Sequence, residues 1–396
     1  MDFDLTDEQR AIRELARDFA DREVAPRAGR YDETGEFPYE LIAQMGRLGF
    51  FSLPFPESVG GAGADFLSYV LVLEEVARAD ASVAITLEAA VSLGIAPLVE
   101  FGTDEQRARW LGPLLRGEKL WAFGLTEPEA GSDAGNTQTR ARHDGDEWVI
   151  NGRKAFITNA GTDISAGVTL TAVTGEAESG APEITCIAVE RGTPGYTQAP
   201  KYRKLGWHAS DTRELIFDEC RVPVTNTVGA EGAGLKQFLA ILEAGRVAIA
   251  ALSVGLAQAC LDSCLQYAVD RHAFGQPLAR FQGTQFKLAD MATQIELSRT
   301  LTWRAATEID KRGRAGVLAS MAKLHASETA TACANQAVQI HGGAGFMDDT
   351  AVARYYRDCK VNEIGEGTSE VQRILIARHL LESRGVAVGA GTRGRS

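Results

Sequence analysis

The hydrophobic period of this chain changes twice, and that double change limits the folds open to it more than any single motif does. Over residues 6–120 apolar residues recur at helical spacing, as Ile12, Leu15, Ala16 and Phe19 do behind the capping-box pair Thr6 and Gln9. A helix is predicted over 67–78, after the Gly60-Gly61-Ala62-Gly63 loop, an apolar stretch covers 83–101, and Thr103 to Gln106 caps a further helix. Between 121 and 228 the pattern is that of strands: 168–173, 183–189 and 215–217 are short and β-rich, and Trp148-Val149-Ile150 leads into Asn151-Gly152, which predicts a hairpin turn. The Glu-, Ser- and Gly-rich segment 175–182 reads as a solvated connection. Helical runs of bundle length return over 239–267, 282–310 and 317–340. The expected architecture is mainly α with a central β domain: an N-terminal helical domain (1–120), a small antiparallel β-barrel-like domain (121–231), a C-terminal four-helix bundle (232–383) and a disordered Gly- and Arg-rich tail (384–396).

Composition narrows the function. With 396 residues, 45% of them hydrophobic, the chain can bury the cores of two or three domains. A net charge of -12 argues against a nucleic-acid or anionic-membrane surface. The start Met-Asp-Phe-Asp-Leu-Thr-Asp-Glu lacks the basic and apolar regions of a signal peptide, and no run of about 18 apolar residues is read as spanning a bilayer, so a cytoplasmic location is expected. The six cysteines form no CxxC and read as reduced, buried thiols. Cys260 and Cys264 share a helix face but have no histidine near them before His272, so no metal site is expected.

Two distant stretches carry chemistry. Phe123-Gly-Leu125-Thr126-Glu-Pro-Glu-Ala-Gly-Ser132-Asp133 combines hydroxyls, small residues and turns behind an apolar lead-in, which suits backbone N–H groups approaching a flat ligand with a polar edge. Ile364-Gly365-Glu366-Gly367-Thr368-Ser369-Glu370 sets a carboxylate among small residues. With Asn151 to Asn159, Arg271-x-x-Phe274-Gly275 and Gln339-Ile-His-Gly342-Gly343-x-Gly345-Phe346, these five motifs, in this order, resemble the acyl-CoA dehydrogenase family over essentially the whole chain.

The resemblance implies FAD as cofactor. Phe123, Leu125, Thr126, Phe156, Ile157 and Thr158 would contact its isoalloxazine, with Ser132 between flavin and the pantetheine of CoA. The family usually has Trp where this chain has Phe156. A guanidinium at Arg271 and the glycines of 339–343 suit a diphosphate. By resemblance, Arg271, Phe274, Phe281, Gln282, Gln339, Gly342 and Gly343 reach the FAD of a neighbouring subunit, which implies a homo-oligomer, a tetramer by dimer pairing in the family's manner; Thr368 and Glu370 are also assigned to the cofactor. No G-x-G-x-x-G follows a strand, so a nicotinamide cofactor has little support.

Glu366 is the expected base, taking the α-proton of an acyl-CoA while the β-hydride goes to the flavin. Burial beside apolar substrate is expected to raise its pKa toward neutrality. Some relatives carry the base just before the counterpart of Arg246, and here that position is Gly245, which favours Glu366. Glu243 and Arg246 would lie near the CoA chain, with Gly367 beside the substrate, and Gly365 replaces a frequent Tyr, which implies a wider acyl cavity. The reaction implied is dehydrogenation of a short- to medium-chain or branched acyl-CoA to its trans-2-enoyl-CoA, with an electron-transfer flavoprotein as acceptor. The alternatives are a dicarboxylyl-CoA dehydrogenase, an enoyl-CoA reductase, an acyl-CoA oxidase and a non-catalytic acyl-CoA binding protein. Residues 81–101 contain no basic residue for a distal carboxylate, and Ala84 stands where one is sought.

Overall fold

The computed structural model describes residues 4–386, so most of the predicted tail lies outside the described residues. The chain opens with α1 (Asp7–Phe19), α2 (Ala25–Thr34), α3 (Tyr39–Arg47), α4 (Phe66–Ala79), α5 (Ala81–Glu88), α6 (Ala96–Phe101) and α7 (Asp104–Leu115). Both predicted capping boxes form: the hydroxyls of Thr6 and Thr103 accept from the N–H of Gln9 and Gln106, whose side chains accept from the threonine N–H in return. Helix α1 is anchored to α4 by Glu75, a buried carboxylate 2.8 Å from both Arg13 and Arg17. Helices α5 and α6 form one rod, 81–101, whose middle stretch Ala89–Ile95 widens into π geometry.

The sheet contains β1 (Leu120–Gly124), β2 (Arg140–Asp144), β3 (Glu147–Thr158), β4 (Ser165–Glu176), β5 (Pro182–Glu190), β6 (Tyr196–Gln198) and β7 (Thr212–Pro223). Its order is β1-β4-β2-β3-β7-β6, with β5 also on β4. Most pairings are antiparallel, as predicted, but β1 runs parallel to β4, and Arg140 of β2 also pairs in parallel with Val173.

The hairpin expected at Asn151-Gly152 is elsewhere. The turn is Gly145-Asp146, between the paired Asp144 and Glu147. Asn151-Gly152 lies inside β3, where the register against β7 slips. The Asn151 amide accepts from the Glu219 N–H at 2.9 Å and donates to its carboxylate at 2.7 Å. Gly152 passes so close to the residue ahead of β2 that a Cβ would sit 2.5 Å from the Thr139 hydroxyl. The same residue pair that makes tight turns here makes a bulge.

After the sheet come α8 (Gly234–Asp270), a small hairpin of β8 (His272–Ala273) and β9 (Gln276–Pro277), then α9 (Gln282–Arg312), α10 (Val317–His341), α11 (Ala351–Cys359) and α12 (Ser369–Glu382). Helices α8, α9 and α10 pack on one another, α11 and α12 lie on α10, and α4 lies along α8, so the two helical layers share one core. The rods Ala81–Phe101 and Gly234–Asp270 are long and apolar enough to cross a bilayer, which corrects the sequence reading, but both are mostly buried inside the protein and act as core helices. All six cysteines are free and buried.

Helices α4 and α8 approach closely because of Gly255, where a Cβ would stand 2.1 Å from the Glu74 carbonyl oxygen. Gly255→Ala is expected to force them apart and destabilise the fold by about 1–3 kcal/mol, read as a lower midpoint in denaturant or thermal unfolding.

Candidate active site

The loop 364–368, between α11 and α12, turns Glu366 into the protein. Glu366 and Gly367 both have left-handed backbones, with φ of 52° and 92°. A non-glycine residue there is held against its preference. Three contacts hold it: the buried Lys323 of α10 donates to the Gly367 carbonyl at 2.8 Å, Gln372 of α12 donates to the same oxygen at 2.8 Å, and Thr368 caps α12 by accepting from the Val371 N–H at 3.3 Å. Lys323, which the sequence reading did not single out, is lowered to about 8 by burial.

The Glu366 carboxyl lies against α8. A Cβ on Gly245 would fall 2.1 Å from its Oε2, so that glycine leaves the room the carboxyl occupies. Oε2 is buried and has no hydrogen-bond partner among the described residues. Among the described residues the Glu366 backbone N–H also donates to none. Burial raises the carboxyl to about 7, against the pull of the neighbouring Glu88, Lys323 and Arg246. Arg246 is itself lowered by burial, and its Nε lacks a partner among the described residues. Glu243 forms no ion pair with Arg246 among the described residues. It accepts from the Gly316 N–H at 2.6 Å, ahead of α10.

Glu88, at the end of α5, was not anticipated. It is fully buried, neither of its oxygens has an aligned hydrogen-bond donor among the described residues, and it neighbours Glu366 and Ser92. Burial, then the Glu366 charge, pushes its carboxyl well above the usual range. Its sequence signal was a carboxylate midway along an apolar run.

A second group forms at the β1 end of the sheet. Phe123 meets Phe238 of α8 edge to face with centroids 3.8 Å apart. Phe238 and Gly245 are two helical turns apart, so this group and Glu366 face α8 about 10.5 Å from each other along its axis. The strand end carrying Leu125 and Thr126 is tied to β3 by Ala155 N–H donating to the Thr126 carbonyl at 2.8 Å. Beneath it lies a buried ion pair the sequence reading missed. Lys154 stands 2.6 Å from Glu127 and 3.3 Å from the Leu125 carbonyl, while Glu127 accepts from the N–H groups of Gln138 and Thr139 at 2.5 and 3.1 Å. Burial lowers Lys154 to about 8, opposed by Glu127; for Glu127 the raising effect of burial is outweighed by the lysine together with the Thr139 and Gln138 donors, which hold the carboxylate below its ordinary value. Phe156 occupies a bulge with φ of 60°, and its ring, beside Tyr202, is 66% exposed. Ile157 points into the core, Thr158 is half-buried and Ser132 is exposed on its loop. An exposed aromatic on a strained, well-anchored bulge suits the face of a planar cofactor.

The third group lies at the far end of the bundle. Tyr267 of α8 donates to the His341 carbonyl at 3.2 Å and stacks on its ring, joining the ends of α8 and α10. Arg271 follows α8, Gln339 lies in the last turn of α10, and Gly342 and Gly343 follow it, all exposed. Among the described residues the Arg271 guanidinium makes no ion pair. Phe274, 96% exposed at φ 53°, meets Phe281 edge to face, beside exposed Gln282. No hydrogen bond or ion pair among the described residues joins this group to the other two. Glu370 is exposed in the first turn of α12.

This arrangement has close relatives. Family models described as the acyl-CoA dehydrogenase N-terminal, middle and C-terminal domains match residues 6–118, 122–220 and 232–381. A probable acyl-CoA dehydrogenase of Bacillus subtilis is 50% identical over 96% of this chain and all of its own length. The structure of butyryl-CoA dehydrogenase from Megasphaera elsdenii superposes with a TM-score of 0.93 at 43% identity, covering 96% of this chain and all of that one. A chain from a structure described as the electron transferring flavoprotein of Acidaminococcus fermentans superposes at 0.92 with 40% identity, over 96% of this chain and all of that one. The chain belongs to the acyl-CoA dehydrogenase family and is an oxidoreductase.

Gly245→Ala places a methyl where the Glu366 carboxyl lies. The variant is expected to fold and stay yellow, while substrate reduces its flavin at least about 100-fold more slowly, as stopped-flow absorbance would show.

Proposed function

We propose that this enzyme removes two hydrogens from the α and β carbons of a short- to medium-chain or branched acyl-CoA, giving the trans-2-enoyl-CoA, with Glu366 as base. FAD is the cofactor of the family and of this chain. One observation carries the reading: Glu366 holds a buried, partnerless carboxyl oxygen next to a free backbone N–H of its own.

That pair matches the two needs of the reaction at the thioester. The N–H is available to the thioester carbonyl and stabilises the charge that grows there, while the carboxylate takes the α-proton. The left-handed backbone keeps both groups on one loop, and Lys323 and Gln372 prevent it from relaxing. FAD, when bound, supplies the acceptor for the β-hydride. Phe123, Leu125, Thr126, Phe156, Ile157 and Thr158 would hold its ring system, and the Glu127–Lys154 pair fixes the strand that carries them. Ser132 and Arg246 would lie along the CoA chain, with Gly367 beside the thioester.

Arg271, Phe274, Phe281, Gln282, Gln339, Gly342 and Gly343 would act on the cofactor of a second copy, since they stand exposed and apart from the Glu366 group. A homotetramer in the cytoplasm and an electron-transfer flavoprotein as acceptor complete the proposal. The short-chain assignment draws on short-chain-specific relatives, one of them the Megasphaera elsdenii enzyme.

Anaerobic addition of butyryl-CoA to the purified protein is expected to bleach its flavin absorbance, and a yellow protein that no saturated acyl-CoA bleaches would overturn the reading. Because only the ionised carboxyl accepts the proton, the bleaching rate should fall as pH drops through about 7. Gly365 has room for a side chain, its nearest neighbour to a Cβ being the Val361 carbonyl at 3.6 Å. Gly365→Tyr is expected to narrow the acyl range, read as a larger loss of kcat/KM for branched than for straight thioesters.

A further inference from the structure

The wall of the site beside the base is polar where a hydrocarbon pocket would be apolar. Glu88 ends α5 at the point where the rod passes into its π-geometry stretch, a feature common at functional sites. Its side chain is fully buried and both oxygens lack an aligned donor. Ser92, 4% exposed, and Tyr69, fully buried, complete the patch, with their hydroxyls 3.3 Å apart. Glu366 borders the same group, acting on both Glu88 and Tyr69.

A buried carboxyl with no partner costs stability and is retained where something else needs it. Serving the base is an insufficient reason: a proton shared between Glu88 and Glu366 would occupy only one of the two Glu88 oxygens. The remaining partner is one the substrate brings.

We propose that Glu88, with Tyr69 and Ser92, is a specificity-determining subsite for an acyl group that carries a hydroxyl. This rests on the reading of Glu366 as the base. A neutral hydroxyl fits better than an ammonium, because pairing with an amine would require Glu88 to ionise in a fully buried place beside Glu366. A hydroxyl donates to a Glu88 oxygen and accepts from Tyr69 or Ser92, satisfying the patch without adding charge.

The test compares isosteric thioesters: 4-hydroxybutyryl-CoA against pentanoyl-CoA, and 5-hydroxypentanoyl-CoA against hexanoyl-CoA. The readout is the second-order rate of anaerobic flavin reduction by the holoenzyme. Taking the ratio within each pair cancels any effect of Glu88 on the base. The wild-type enzyme is expected to favour one hydroxylated member by at least about tenfold, since a site built to bond a hydroxyl discriminates strongly against its absence. Glu88→Leu should bring that ratio below unity, and the isosteric Glu88→Gln, which keeps an acceptor oxygen, should retain part of it. If the apolar thioesters reduce the flavin and neither hydroxylated one does better, or if Glu88→Leu leaves the ratio unchanged, the subsite is wrong and the dehydrogenase reading stands. If no thioester reduces it, both fall.

Discussion

Everything at this site depends on keeping one carboxyl buried without a partner. Left to itself, Glu366 would turn to water or pair with Lys323 or Arg246, which are near enough to pull on its proton. The protein prevents this through the main chain. Lys323 is engaged by the Gly367 carbonyl, Gln372 reinforces that bond, and the strained backbone of 366–367 leaves the side chain facing α8. Gly245 supplies the space. The strain of a left-handed glutamate, of order 1–3 kcal/mol, is offset by these contacts and by the cap on α12.

The sheet side of the site follows the same logic with opposite chemistry. There the charges are paired, Glu127 with Lys154, and the lysine also donates to the Leu125 carbonyl and the Thr171 hydroxyl while the carboxylate accepts from the N–H groups of Gln138 and Thr139. A paired, hydrogen-bonded buried charge makes a rigid strut, whereas an unpaired one is a reactive group. Within about two turns of α8 the fold presents both, and that contrast separates the residues that hold the cofactor from the residue that acts on the substrate.

Much of this was legible in the residues. The capping boxes at Thr6 and Thr103 name their helix starts outright, and the bundle helices appear close to their predicted spans because their apolar period is sustained. Glu366 could be found because its loop is short and contiguous in sequence. Asn151-Gly152 misled because tight turns and bulges both favour the pair, and only the partner strand, with Glu219 and Thr139 in place, decides between them. Lys154, Lys323 and Glu88 were missed for one reason: each is a single charge in an ordinary helical or strand pattern, and its meaning comes from a partner 27 or 44 residues away, or from the lack of one. Glu88 came nearest to announcing itself, as a carboxylate inside a run otherwise fit for a core.

The most direct test of the account is Glu366→Gln, which keeps the shape and the backbone N–H but removes the proton acceptor. The account predicts a yellow, folded protein that still binds butyryl-CoA, with a perturbed flavin spectrum, and whose anaerobic bleaching is slowed by about 100-fold or more. Bleaching at the wild-type rate would show that another group takes the α-proton and would contradict the central claim.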